Sequence, residues 1–147
     1  MAVMSLDGSN LATRLRDALV ALTPERPDAI DALRAVYADD IHFRDPIQEI
    51  RGIDAFLAMN RRLLARMRTL EWIVVTAAGD DEEVFLEWTM RGRTKLGPTV
   101  SVDGMTRARG RGGRIHDHRD YWDLGELLAS SMPAGKRLLH ALVSPLA

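Results

Sequence analysis

The chain has no cysteine, which excludes disulfides, thiol nucleophiles and thiolate metal ligands. It also lacks an excess of charge of either sign: 20 basic and 21 acidic residues leave a net charge of -1 over 147 positions. No global field therefore points to nucleic acid or to an anionic membrane. No apolar run approaches the length of a membrane span, and "MAVMSLDGSN" has neither the basic nor the apolar block of a signal peptide. Internal repeats and linker-like stretches are missing as well. These absences leave a single domain over 1–147, expected in the cytoplasm, with a loose N-terminus over 1–8.

What is present falls into two halves with different periods. In "NLATRLRDALVAL", Leu11, Leu15, Leu19 and Leu22 recur at helical spacing, the stripe of an amphipathic helix. Ser9 or Asn10 can cap its start, and the prolines of "TPERP" end it. A shorter helix is predicted from about Asp28, with Ile30, Leu33 and Val36 or Tyr37 inward. "IHFRDP" alternates Ile41 and Phe43 with polar residues, a short strand that Pro46 stops. A third helix runs from Ile53 to Met67. Its buried stripe holds Ile53, Phe56, Leu57, Asn60, Leu63, Leu64 and Met67, leaving Arg61, Arg62, Arg66 and Arg68 mostly outside.

In the second half the period drops to two. "LEWIVVTA" (70–77), "EVFLEWTMRGR" (83–93), "TVSVDGMTRAR" (99–109) and "RIHDHRDYWD" (114–123) read as strands, separated by the turns "GDDEE", "KLGP" and "GRGG". Consecutive strands with short loops predict an antiparallel meander. A C-terminal helical segment over 124–147 follows, opened by a capping box of Asp123 and Glu126. Helices, then a sheet, then a helix make an α+β fold, a curved antiparallel sheet with the N-terminal helices over its concave face. Such a sheet encloses a cleft suited to small ligands. "RARGRGGR" (107–114) has the composition of a nucleic-acid segment, but in a neutral chain it reads as a solvated hairpin, and no nucleic-acid partner is expected.

In "RIHDHRDYWD" every second residue is His116, His118, Asp120 and Trp122, which share one face of a strand. Trp122 argues that this face points inward, because an indole is rarely left on open surface. His118 and Asp120 are then close enough to hydrogen-bond or share a water, as acid–base chemistry needs, or as a polar group at a pocket floor needs. A metal is the other reading of "HDH", with Asp45 or Asp120 completing the set. Zinc wants three protein ligands and nothing else in the chain pulls that way, so no metal is expected.

Taken together, "YADDIHFRDP", "EIRG" leading into a helix, and "GRIHDHRDYWD" resemble the nuclear transport factor 2-like superfamily, and within it the bacterial SnoaL-like proteins. The resemblance runs from about Asn10 to Leu139. It implies a cone-shaped α+β barrel with a deep apolar pocket, often a homodimer through the outer sheet face. It implies no single activity, since ketosteroid isomerases, polyketide cyclases, limonene epoxide hydrolases and non-catalytic members share the fold. Asp45 matches the general-base aspartate of ketosteroid isomerases. Asp103 falls where those enzymes keep a protonated aspartate as oxyanion donor, a carboxyl held neutral by its apolar surroundings. Their first-helix tyrosine has no counterpart here, where Ala18 and Leu19 stand. Asp120 matches a catalytic aspartate of epoxide hydrolases, but "EWT" at 87–89 does not reproduce their Arg-x-Asp.

The expected catalytic set is therefore Asp45, Asp103, His118 and Asp120, with Trp88, Met105, His116 and Trp122 lining the substrate site. Gly104 inside its strand suggests a bulge that either turns Asp103 inward or lets a ligand approach the backbone. Asp45 before Pro46 has a plainer explanation as a turn former. Two functions stay open. One is an enzyme without cofactor acting on a small hydrophobic molecule by isomerisation, cyclisation, dehydration or water addition. The other is a non-catalytic domain that binds a ligand or a partner protein. A homodimer is expected, because an outer meander face carrying Trp72 would otherwise expose apolar surface.

Overall fold

The computed structural model describes residues 9–144, so the N-terminal stretch over 1–8 lies outside it. In chain order the elements are α1 (Leu11–Val20), α2 (Asp28–Ala32), a 3-10 turn (Leu33–Ala35), β1 (Tyr37–Arg44), β2 (Glu49–Arg51), α3 (Ile53–Arg66), β3 (Met67–Gly79), β4 (Glu83–Thr94), β5 (Thr99–Arg111), β6 (Arg114–Trp122), α4 (Leu124–Ser131) and α5 (Gly135–Val143). Local chemistry sets the boundaries. The Asn10 side chain accepts from Thr13 N–H and caps α1, and Asp123 does the same for α4 through Glu126 N–H. Gly112 and Gly113, with φ of 60° and 78°, make the two-residue turn that joins β5 to β6.

The six strands form one curved, unclosed sheet in the order β2-β1-β6-β5-β4-β3. The meander β3–β6 is antiparallel, as its alternation predicts. β1 joins it in parallel through β6, with Phe43 opposite His118. The inner face and the helices share one core, in which Leu11, Leu57, Leu86 and Ile115 are fully buried. Among the described residues, no helix is long and apolar enough to cross a membrane.

Four local features differ from the sequence expectations, and each decides where side chains point. Tyr37 opens β1 instead of ending the preceding helix. In β5–β6, Arg109 pairs with Asp117 but Gly110 pairs with Ile115, so His116 is the extra residue of a bulge. Alternation breaks there: Ile115 and His118, three apart, are both buried. Gly104, by contrast, is not bulged, and the β4–β5 register is continuous through it. Its missing side chain makes room for Trp88, since a β-carbon at that position would overlap the six-membered ring of the indole. Trp72 also turns inward, so the outer face is apolar through other residues.

Candidate functional site

Between the inner sheet face, α1 and α3 lies a cavity of about 310 Å³. All three tryptophans of the chain, Trp72, Trp88 and Trp122, line it, along with leucines of α1 and Phe43, Phe56 and Val102. Trp72 stands edge-on to Trp88, with ring centroids 5.1 Å apart at 76°. The polar groups on these walls are few: Tyr37, Asp45, Gln48, Asn60, Arg62, Arg66, His118 and Asp120.

Four of the cavity-lining residues, with Thr106 between them, form one hydrogen-bonded chain whose directions follow from what each group can do. The Trp88 indole only donates, so Thr106 Oγ1 accepts from it at 2.9 Å. The Thr106 hydroxyl is then free to donate to Asp120 Oδ1, at 2.5 Å. A carboxylate only accepts, so His118 Nε2 carries the hydrogen that meets the same oxygen at 2.7 Å. With neutral imidazole, Nδ1 is left to accept from the Tyr37 hydroxyl at 2.9 Å. His118 is 6% exposed and boxed in by Tyr37, Phe43 and Phe56, whose ring centroids lie 5.1–6.4 Å from its own. Asp120 Oδ2 has no hydrogen-bond partner among the described residues.

The expected site residues separate. His118, Asp120, Trp88, Trp122 and Asp45 reach the cavity. Asp103 and Met105 do not. The inward set on β5 is Val102, Gly104, Thr106 and Ala108, so the intervening Asp103 faces outward, where it accepts from Thr89 Oγ1 at 2.6 Å. Met105 is likewise exposed on the outer face. His116 is turned off the cavity wall by its bulge, with Nδ1 buried and unpartnered among the described residues. The two histidines of "HDH" therefore do not converge. Among the described residues no group of three or more His, Asp or Glu is placed to hold a metal. Asp45 lines the cavity with both oxygens occupied by its own turn: Oδ1 accepts from Ile47 and Gln48 N–H, and Oδ2 from the Gln48 amide at 2.9 Å.

Sequence reasoning missed Tyr37, Thr106 and the two arginines. A buried tyrosine needs a partner for its hydroxyl, which was the available signal for Tyr37. Thr106 shares parity with Val102 and Ala108, so the alternation marks it as inward.

The family model for the SnoaL-like domain matches residues 15–118. The chain belongs to that family. No curated protein matches it in sequence. Among solved structures, an LEH-like epoxide hydrolase from M. tuberculosis is 27% identical, with 92% of this chain and 96% of that one covered at a TM-score of 0.68. A hypothetical protein of ketosteroid isomerase-like fold from Catenulispora acidiphila, in complex with trimethylamine, is 26% identical over 82% of this chain and 94% of its own, TM-score 0.69. A nuclear transport factor 2-like protein of unknown function from Exiguobacterium, 22% identical over 78% of this SnoaL-like chain and 98% of its own at a TM-score of 0.66, shares the fold.

Burial, and after it the negative charge of Asp120, holds the Tyr37 hydroxyl well above the ordinary tyrosine value of 10.0. The folded chain keeps this phenol protonated where the unfolded chain releases its proton. That contribution to stability is complete below the ordinary value and is lost as pH rises beyond it. Tyr37→Phe is expected to cost about 1 kcal/mol at neutral pH, for the lost hydrogen bond, and to flatten the alkaline decline. Urea midpoints measured against pH test this, and parallel declines in both proteins would contradict it.

Proposed function

We propose that the chain is a cofactor-free enzyme in which Asp120 takes up a proton while the apolar cavity holds a small hydrophobic substrate. One observation carries this reading: Asp120 lines the cavity with one oxygen fixed by His118 and Thr106 and the other without a partner among the described residues. A fixed carboxylate with a free oxygen is suited to act as a general base, and its neighbouring imidazole can return or relay the proton. Trp88 and Trp122 serve as walls that orient the substrate.

Water addition fits better than enolisation. Asp103 is outside, and Ala18 and Leu19 occupy the cavity wall on α1, so neither oxyanion donor of the ketosteroid isomerase pattern reaches the cavity. The likeness to an epoxide hydrolase over most of the chain supports the same direction. Asp120 removes a proton from water as its oxygen bonds to an electrophilic carbon. The electron pair of the breaking carbon–oxygen bond moves to the leaving oxygen, which is reprotonated by the Asp120 acid or by solvent.

A second reading, a ligand-binding domain without turnover, is favoured by Asp45, whose oxygens are both held by its own turn. A thermal-shift screen of steroids, terpenoid epoxides and polyketide fragments, followed by turnover assays of its hits, separates the two. Asp120→Asn is expected to lower turnover on the order of 10²–10⁴-fold, the usual share of general acid–base catalysis, with little change in affinity. Binding without turnover in the wild type supports the second reading, and equal turnover in the variant rules out Asp120 as the base.

The same reading includes a homodimer formed through the outer sheet face, where Val75, Phe85, Met105 and Tyr121 are exposed together. Light scattering should give a dimer for the wild type and a monomer for Phe85→Glu/Met105→Glu. A wild-type monomer at micromolar concentration would end the proposal.

A further inference from the structure

We infer that the natural ligand is an amphipathic carboxylate, whose charged end is held by Arg62 and Arg66 at the cavity mouth and whose apolar body reaches toward His118 and Asp120. This deepens the cavity reading above and rests on it.

The mouth is marked by burial. Of the residues that line the cavity, only Ile47, Arg62 and Arg66 are exposed; the rest are buried or half-buried. Two arginine side chains therefore stand at the exposed rim of a largely apolar space. They are one helical turn apart on α3, a spacing of roughly 6 Å between β-carbons, so both can reach one carboxylate. Arginine presents a planar fork of donors that matches a carboxylate.

Neither arginine has a carboxylate within ion-pair distance among the described residues, while their neighbours do. Arg61 pairs with Asp31 at 2.6 Å, and Arg34 pairs with Asp54 on the same helix at 2.7 Å. The negative end of the α3 dipole accounts for one cation in the last turn, Arg66, but not for a second a turn earlier and on the cavity side. Asp45 also lines the cavity, and its oxygens are already occupied by Ile47 and Gln48.

The helix itself measures the ligand. Phe56, on α3, lies 6.4 Å from the His118 ring, centroid to centroid. At about 1.5 Å of rise per residue, Arg62 is roughly 9 Å and Arg66 roughly 15 Å further along the axis. A ligand whose carboxylate meets this pair places an apolar body of about ten carbons inside, with its far end beside Asp120. A negative charge at the mouth is also kept away from the Asp120 carboxylate, which would repel it at close range.

Decanoate and 1-decanol share this body and differ in charge, and the three tryptophans on the wall report either one by fluorescence. In the wild type at low salt, decanoate should bind at least about tenfold more tightly than decanol, the usual margin for a hydrogen bond to a charged group. The advantage should shrink as salt is added. In Arg62→Gln/Arg66→Gln the two affinities should become equal, with decanol unchanged; Arg62→Lys/Arg66→Lys should restore part of the preference. Equal affinities in the wild type would overturn the carboxylate anchor and leave the cavity reading standing. A preference that survives in the double glutamine variant would place the anion elsewhere and overturn it too. No response to either probe, in fluorescence or in melting temperature, would overturn both.

Discussion

Asp120 is the residue on which the polar side of the cavity depends. A single oxygen of its carboxylate ends two arms of hydrogen bonds, one through Thr106 to Trp88 and one through His118 to Tyr37. Each arm begins on a large aromatic side chain packed in the core, so the carboxylate is fixed by groups that cannot move without disturbing that core. A buried network in which each donor is matched adds rigidity, and one left half-matched is costly. Among the described residues the arrangement leaves one oxygen unmatched, and it belongs to a residue of the cavity wall.

The sheet makes this possible by bringing distant residues into register. Thr106 lies opposite Asp120 across β5–β6, and Gly104 lies opposite both Trp88 and Trp122. The absent side chain at Gly104 lets the Trp88 ring lie across β5. The parallel seam puts Phe43 of β1 beside His118 of β6, so the imidazole is enclosed on the sheet side, and α3 closes the other side with Phe56. The cavity and the fixed carboxylate are thus two results of one packing arrangement.

The architecture was largely legible, because periods of 3.6 and 2 separate the two halves cleanly and Pro, Gly and Asp mark the turns. Side-chain direction was legible only where alternation is unbroken. From His118 to Trp122 it is, and His118, Asp120 and Trp122 all lie on the cavity wall. Before it a bulge at His116 intervenes, and nothing local in "RIHDH" signals it; with the bulge, Ile115 and His118 are both buried. Gly104 had the opposite effect. A glycine in a strand suggested a bulge, whereas its role is to receive a ring from the neighbouring strand, and a contact between strands is not written in either one alone. Asp103 and Met105 are outside for that reason. Arg62 and Arg66 flank the apolar stripe of α3, where sequence cannot tell solvent from a cavity mouth.

The most direct measurement is a double-mutant cycle on stability between Tyr37→Phe and Asp120→Asn. The two side chains share no hydrogen bond and meet only through His118. If the polar chain acts as one unit, the double variant should depart from the sum of the single ones by about 0.5–3 kcal/mol, the range for members of one network. Additive effects, within about 0.3–0.5 kcal/mol, would show that Tyr37 does not sense Asp120 and that the carboxylate is not held by the chain described.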